Sequence, residues 1–504
     1  MVNQPHKKIQ LNFFETACTG TVNAIGQWKH VPPNLPIHRN KSLTHDRDPK
    51  DVSKTKDRLA YYMNLAQLAE KGKISSIFFA DSYGGHEIFE GKADAQYKGG
   101  SHVAKLDPTV FISAMATVTD SVGFGITGST THIPPYLLAR TWSTLDHVTD
   151  GRMAWNIVTS FSDSSAKALG LDNMLPHDER YNAAEEYMDV IYQLWEKSWE
   201  DGAQKWQAEP EMAYDPSKVH RIEYQGKYLK FSGVQQAHPS PQRTPLIFQA
   251  GASKAGIAFG GKHAEAIFCA HSSVADCKRY TQSVRAAAAA AGRDPQAIKF
   301  FLGAMPFLGR TREEAEEKFE AARKRASIQG GLARFSGFVN VDMSVYPVDE
   351  PFKFKGELKE NAVQGIVNSM KSMNDNQDMT PRDVGEILAF GGIGPRPVGT
   401  AEMVADELQK WMEEGDIDGF NLSPVSMPSS WEDIVDLLVP ELQRRGLYWD
   451  DYPAPGGTLR ENVYSAPGKP FLADDHPGSR FKWNAPKVEE KKTNGEVDGV
   501  QARV

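Results

Sequence analysis

Six polar residues stand where apolar runs of the chain give way, and their types suit the holding of an anion or a polar ring. The densest signal is Pro245–Phe268, PLIFQAGASKAGIAFGGKHAEAIF. An apolar run (Leu246, Ile247, Phe248) enters a Gly251-Ala252-Ser253 turn, then a small-residue helix, then a second apolar run. Backbone N–H groups at such a turn, with the Ser253 hydroxyl, can hold a phosphate. A second signal is Pro176–Tyr181, PHDERY. Here Asp178 reads as a helix N-cap, and His177 and Tyr181 sit around the first turn, able to face the same way. An imidazole and a phenol beside a helix N-terminus suit a phosphate or a polarised ring carbonyl. Asp178, Glu179 and Arg180 read as a solvated first turn. Asp81, Thr127 and Asn156 end or occupy three further apolar runs. Taken alone, each of the six is also explained by turn chemistry, capping or core packing. For His177 and Tyr181, spacing does not choose between the readings.

What positions these residues is an alternation of short apolar runs with amphipathic stretches. Strands are expected at Ile9–Phe14, Ile74–Ala80, Val122–Thr127, Met153–Val158, Leu246–Gln249, Ala264–Cys269, Ile298–Leu308 and Phe420–Leu422. Helical spacing is found over Leu59–Lys71, Pro108–Thr119, Tyr136–Val148, Asp178–Trp199, Lys254–Gly261, Ala275–Ala291 and Trp431–Arg445. Strands alternating with helices pair in parallel through right-handed crossovers. Eight of them close most naturally into an α/β (β/α)8 TIM barrel, with an open doubly wound sheet as the other architecture. A barrel carries its site at the C-terminal ends of its strands, so Asp81, Thr127, Asn156 and Ser253 would share one rim. Two connections are long enough to be insertions, 201–243 after strand four and 329–397 after strand seven, and both are expected to shape the pocket. The second contains Gly391–Pro397, plausible hinge material. Barrel and insertions are expected over 8–452. From 453 to 504, Pro, Gly and charge suggest an extended C-terminal tail that wraps the surface and is partly disordered.

Composition narrows the function. The chain has 504 residues, 40% hydrophobic and 24% charged, as in ordinary globular proteins. A net charge of −8 favours neither nucleic acid nor an anionic membrane as partner. Cys18, Cys269 and Cys277 stand at unrelated spacings, so neither a disulfide framework nor a zinc site is expected. No apolar run approaches membrane-spanning length and residues 1–10 lack a signal-peptide core, which reads as a cytoplasmic protein. No GxSxG, HExxH or Walker pattern appears, against an esterase, a zincin or a nucleotidase. Cys18, Trp28 and His30 are weaker candidates for the mouth of a pocket, and equally well read as a buried thiol and loop packing.

Five stretches then carry a likeness: WNIVTS (155–160), PHDERY (176–181), SPQRTPLIFQAGAS (240–253), GTAEMVADEL (399–408) and DGFNLSP (418–424). Together they resemble the bacterial luciferase-like superfamily, and within it the branch of nitrilotriacetate, dibenzothiophene-sulfone and long-chain alkane monooxygenases. The likeness runs from Ile9 to Tyr452. It implies a (β/α)8 barrel that takes reduced FMN from a separate NAD(P)H:flavin reductase, uses O2 to oxygenate a small organic substrate, and forms a homodimer. In such enzymes the flavin carries the oxygen chemistry, and the protein orients it and excludes water. By the resemblance, Asp81, Thr127, His177, Tyr181 and Ser253 match flavin-binding positions, with Tyr181 and Ser253 at the phosphate and Asp81 and Thr127 nearer the ring. Asn156 would line the flavin or substrate pocket, and His177 is the candidate acid or base. The chain departs from its relatives at Ser75-Ser76, where members commonly carry Phe-Asp, and in a smaller histidine set near the first strand. The second departure leaves the substrate open.

Three other readings remain on the residues alone. A barrel of the same superfamily could transfer hydride through a deazaflavin, or a relative could bind flavin without turnover. A glycosidase barrel would need two catalytic carboxylates, and only Asp81 clearly occupies a strand end.

Overall fold

The computed structural model describes residues 7–18, 23–30, 56–353, 366 and 379–485. Within them, eight strands close into a parallel barrel: β1 (Gln10–Glu15), β2 (Ser76–Phe79), β3 (Gly123–Ser129), β4 (Met153–Val158), β5 (Leu246–Gln249), β6 (Ala266–Cys269), β7 (Lys299–Ala304) and β8 (Gly419–Leu422). They pair in chain order, and β8 returns to β1, where Asn12 lies opposite Asn421 on one side and Ser76 on the other. This is the (β/α)8 arrangement read from the alternation of apolar runs.

Successive side chains of a strand point to opposite faces, and in a barrel both faces are dry. On β1, Leu11 and Phe13 pack outward among the helices, where the Phe13 ring stacks on Trp431 with centroids 4.2 Å apart. Phe14 points inward and joins Phe78, Phe248, Phe268 and Phe301 in an aromatic layer that fills the barrel. Gly125 makes room for it, since a Cβ there would lie 3.3 Å from the Phe78 ring. Gly123, Gly125 and Gly128 have the spacing of a dinucleotide fingerprint, but all three lie inside β3 and not at a strand-to-helix turn. Ser76, the departure in strand two, is also inward: its Oγ donates to Asn12 Oδ1 at 2.8 Å, and Asn12 Nδ2 donates to Asn421 Oδ1 at 2.9 Å.

The helices that matter for the site are α1 (Leu59–Lys71), α2 (Pro135–Val148), α3 (His177–Tyr192), α4 (Lys254–His263), α5 (Val274–Ala290), α6 (Ile328–Val339), α7 (Pro381–Ala389), α8 (Ala401–Gly415) and α9 (Leu459–Tyr464). The helix expected over Pro108–Thr119 is broken into a turn at Pro108–Val110, capped by Asp107, and a short helix at Ile112–Ala116. The connection after β4 folds into two antiparallel hairpins, Gln204–Gln207 with Met212–Tyr214 and Ile222–Gln225 with Lys230–Gly233. In the connection after β7, α6 packs on α7 at Gly331, where an added Cβ would meet the Gly385 carbonyl at 1.9 Å.

The residues after Tyr452 differ from a surface wrap. Leu459 and Val463 of α9 enter the aromatic layer from below, and Arg460, 2% exposed, pairs with Glu265 at 2.7 Å across the barrel floor. Pro and charge in the sequence suggested a tail on the surface; Asp474 and Arg480 are exposed, but Arg460 is buried in its pair with Glu265. The disorder expected towards residue 504 falls at 486–504, outside the described residues.

Candidate active site

The C-terminal ends of the strands surround a cavity of about 440 Å³, within the common range for small-molecule sites. All six residues singled out by sequence line it: Asp81, Thr127, Asn156, His177, Tyr181 and Ser253. Each arrives by a local rule. Ser253 caps α4, its Oγ accepting the Gly256 N–H at 3.0 Å. The turn before it is held by Tyr280, whose hydroxyl donates to the Gly251 carbonyl at 2.7 Å. Over this cap lies the Tyr181 hydroxyl, close to the Ser253 and Thr159 hydroxyls. Burial pushes the Tyr181 phenol above its ordinary pKa, and those two hydroxyls oppose the shift. A Cβ on Gly256 would stand 2.8 Å from the Tyr181 oxygen, and one on Gly251 2.8 Å from the Gly256 Cα, so the glycines are what lets backbone and phenol converge.

His177 packs beside Tyr181 with ring centroids 5.2 Å apart and the rings tilted, and its Nδ1 lies 2.7 Å from Asp178 Oδ1. Asp178 is therefore not the N-cap that the sequence suggested. The helix begins at His177 after Pro176, and Asp178 holds the imidazole from the first turn. Arg180 also departs from expectation: it is buried, donates to the Leu175 carbonyl at 2.7 Å and lines the cavity. Its neighbour Glu179 faces outward and binds Lys227 and Tyr228 of a hairpin.

Across the cavity, Asn156 Nδ2 donates to Thr127 Oγ1 at 2.9 Å, and Thr127 Oγ1 donates to the Phe79 carbonyl at 3.2 Å. Asn156 Oδ1 is buried, an acceptor on the cavity wall with no hydrogen-bond partner among the described residues. Asp81 accepts the Ser82 N–H at 2.8 Å and faces Lys105 at 3.7 Å. Burial raises its carboxyl pKa, and Lys105 works against that rise.

Several lining residues were not found from sequence. His86, His102 and Lys105 come from the long loop after β2, and Arg334 and Phe338 from α6. Loops carry no period to read, so the two histidines gave no signal. Arg334, a single charge within the otherwise apolar IQGGLARFSGFV of α6, could have been noticed. The His86 and His102 rings lie 5.1 Å apart, and both Nε2 atoms are buried without a partner among the described residues. Burial, then the Arg334 and Lys105 charges, lowers the His86 pKa to about 3, and burial lowers that of His102 well below the ordinary value. Gly391, Gly392 and Gly394 line the far wall, where Gly394 lies so close to β7 that a Cβ would meet the Gly303 carbonyl at 1.9 Å. Neither hairpin of 201–243 contributes lining, because the second is clamped outside onto α3 by Glu186, which accepts the N–H groups of Lys227, Tyr228 and Leu229. Cys18 and Trp28 are not lining residues either: the Cys18 thiol donates to Thr16 Oγ1, and the Trp28 indole donates to the Gly99 carbonyl.

Residues 40–418 match the family model described as luciferase-like monooxygenase. The chain belongs to that family. This luciferase-like monooxygenase is 38% identical over 476 residues to the dimethyl-sulfide monooxygenase of Hyphomicrobium sulfonivorans, covering 94% of each chain. It is 39% identical over 476 residues to the long-chain alkane monooxygenase of Geobacillus thermodenitrificans, covering 94% of this chain and 98% of the relative. Among solved structures, the Hyphomicrobium protein DmoA superposes with a TM-score of 0.84 at 37% identity, over 97% of this chain and all of that one. Riboflavin lyase, solved with a modified FMN and riboflavin, superposes with a TM-score of 0.82 at 31% identity, over 94% of this chain and all of that one. Relatives named as monooxygenases at this identity, over nearly the whole chain, make the protein a monooxygenase and an oxidoreductase. Among the described residues no helix is long and apolar enough to cross a membrane.

Proposed function

We propose that this luciferase-like monooxygenase binds reduced FMN in the rim cavity and uses O2 to oxygenate a small organic molecule, as the oxygenase half of a two-component system. The observation that carries the flavin assignment is the turn at Gly251–Ser253. A serine-capped helix start, a phenol above it and two glycines that leave no space for a Cβ form a cradle for a phosphate. The residues present fit the cofactor at its other end too, where Asn156 Oδ1 waits for a donor, as a flavin ring N–H would supply.

In this reading Tyr181, Ser253 and His177 hold the phosphate end, and Asp81, Thr127 and Asn156 face the ring. When bound, reduced FMN supplies the electrons that split O2 between product and water. The chain's own part is orientation and the exclusion of water. His177 stands with Tyr181 at the anion end, so its proposed role is as a ligand there before any role as acid or base. His86, His102, Lys105, Arg334 and Phe338 form the opposite, substrate-facing end. The two imidazoles are held neutral by burial, so they can donate or accept a hydrogen bond without carrying charge. An NAD(P)H:flavin reductase as the source of reduced FMN and a homodimeric state are carried over from the family likeness, and a cytoplasmic location from the sequence reading, as part of the same proposal.

The test is anaerobic titration with photoreduced FMN, followed by mixing with O2 in the presence of small thioethers, alkanes and aminocarboxylates. Binding of one equivalent, with oxygen incorporated from labelled O2 into one of these compounds, is the expected result. Binding of a reduced deazaflavin in place of FMN would move the protein to hydride transfer. Failure to bind any flavin would remove the proposal.

A further inference from the structure

Two of the three cysteines, uninformative by spacing, are brought together by the fold. Cys269 is the last residue of β6, His271 lies in the loop beyond it, and Cys277 is in the first turn of α5. The cap of α5 decides the meeting. Ser273 Oγ accepts the Asp276 N–H at 3.1 Å and the Ser273 carbonyl accepts the Cys277 N–H at 3.1 Å, so the helix starts at once and turns Cys277 back beneath the strand end. One ligand atom from each of Cys269, His271 and Cys277 then lies within 4.8 Å of the others. Among the described residues this is the one such group of three.

We propose that Cys269, His271 and Cys277 form a binding site for a thiophilic divalent ion of the zinc class, separate from the flavin cradle, with its fourth position open to the rim cavity. The donor set is the argument. Two sulfurs and an imidazole nitrogen are soft ligands that select zinc-like ions over magnesium or calcium. Two thiolates also cancel the charge of a dication, so the filled site is neutral where Cys277 is wholly buried and Cys269 is 6% exposed. Metal–ligand bonds of ~2.0–2.3 Å place ligand atoms roughly 3.3–3.8 Å apart in a tetrahedron. Closing from 4.8 Å therefore needs about 1–1.5 Å of movement at most. His271 can supply it, since it is half-buried and sits on a loop.

Access and support are also present. Cys269 and His271 line the cavity, which gives an ion its entry path and gives the fourth position to water or a small sulfur ligand. The Tyr280 ring packs 5.0 Å from the His271 ring, and the Tyr280 hydroxyl holds the Gly251 carbonyl. An ion at this site would thus brace the helix that backs the Gly251–Ser253 turn without sharing a ligand with it.

The experiment uses the full chain, reduced and treated with chelator, without flavin. Cadmium is titrated while the thiolate-to-metal charge-transfer band is followed in the ultraviolet, and cobalt is titrated while its visible bands are followed. One equivalent of cadmium, a band of two-thiolate intensity and intense tetrahedral cobalt bands are expected in the unaltered protein. Cys277→Ser should abolish the cadmium band, His271→Ala should weaken binding at least about tenfold, and Cys18→Ser should change neither. No stoichiometric band, octahedral cobalt, or a band that survives Cys277→Ser would overturn the proposal. The cobalt result on the unaltered chain stands even if a variant fails to fold, and neither readout depends on flavin binding.

Discussion

Tyr181 and Ser253 share one small volume with the start of α4, so their effects on an anion should be felt together. Replacing Tyr181 by Phe and Ser253 by Ala removes two hydroxyls while leaving the backbone of the turn. Reduced-FMN affinity should fall by about 2 kcal/mol or more, roughly thirtyfold, at two charge-assisted hydrogen bonds lost. Fluorescence or absorbance titration of the double variant checks this, and an unchanged affinity would mean that the phosphate lies elsewhere. His86 yields a second prediction at this scale. Its folded pKa is about 3, below the ordinary 6.5, so between those values the unfolded chain binds a proton that the folded one refuses. Stability is therefore full above about pH 6.5 and falls as pH drops towards 3, by up to about 1.4 kcal/mol per pH unit for this residue. His86→Gln should lose about 2 kcal/mol less than the parent between pH 7 and 5 in urea unfolding. Equal losses would place the proton elsewhere.

At the scale of elements, the proposed substrate-facing end depends on how closely α6 sits on α7. Gly331 touches the Gly385 backbone, and neither side can yield by rotating a side chain. Gly331→Val should push the pair apart and lower stability by about 1–3 kcal/mol. Arg334 and Phe338 ride on the same helix, while α3 and α4, which carry the proposed anion end, do not pack extensively on this pair. Thermal unfolding should show the loss, with reduced-FMN affinity unchanged and turnover of the eventual substrate impaired. A large drop in flavin affinity would show that the two ends of the cavity are not independent. The hairpins of 201–243 make the opposite case: clamped on the outside of α3, they should tolerate change without affecting the cavity.

For the whole molecule, the segment from 453 to 485 closes the barrel at the end away from the site. Arg460 binds both oxygens of Glu265 and the Thr244 carbonyl in buried contacts, and reaches the half-buried Pro470 carbonyl. Arg460→Met would leave a buried carboxylate without its cation, at a cost of about 3–5 kcal/mol. Urea unfolding should show it, and Arg460→Met combined with Glu265→Gln should recover much of the loss, since the unpaired charge is then gone. A chain ended after Tyr452 should be less stable still, because Leu459 leaves the space below Gly123 in the barrel floor. That the rim site survives or fails with the floor would show how rigidly the barrel joins its two ends.

The barrel and one half of its site were legible in the chain itself. Alternating apolar runs fix strand number and direction, and a polar residue late in such a run or just after it reaches the C-terminal rim, which is why Asp81, Thr127, Asn156 and Ser253 could be named beforehand. His177 and Tyr181 were legible because a helix start places neighbours on one face. The other half was decided by tertiary structure. His86, His102 and Arg334 meet only when a loop after β2 and an inserted helix cover the same opening, and no local spacing encodes that distance. Arg180, Arg460 and the cysteine group share this origin. Each looks like surface charge or scattered sulfur along the chain, and each takes its chemistry from partners far off in sequence or from the turn of a helix cap.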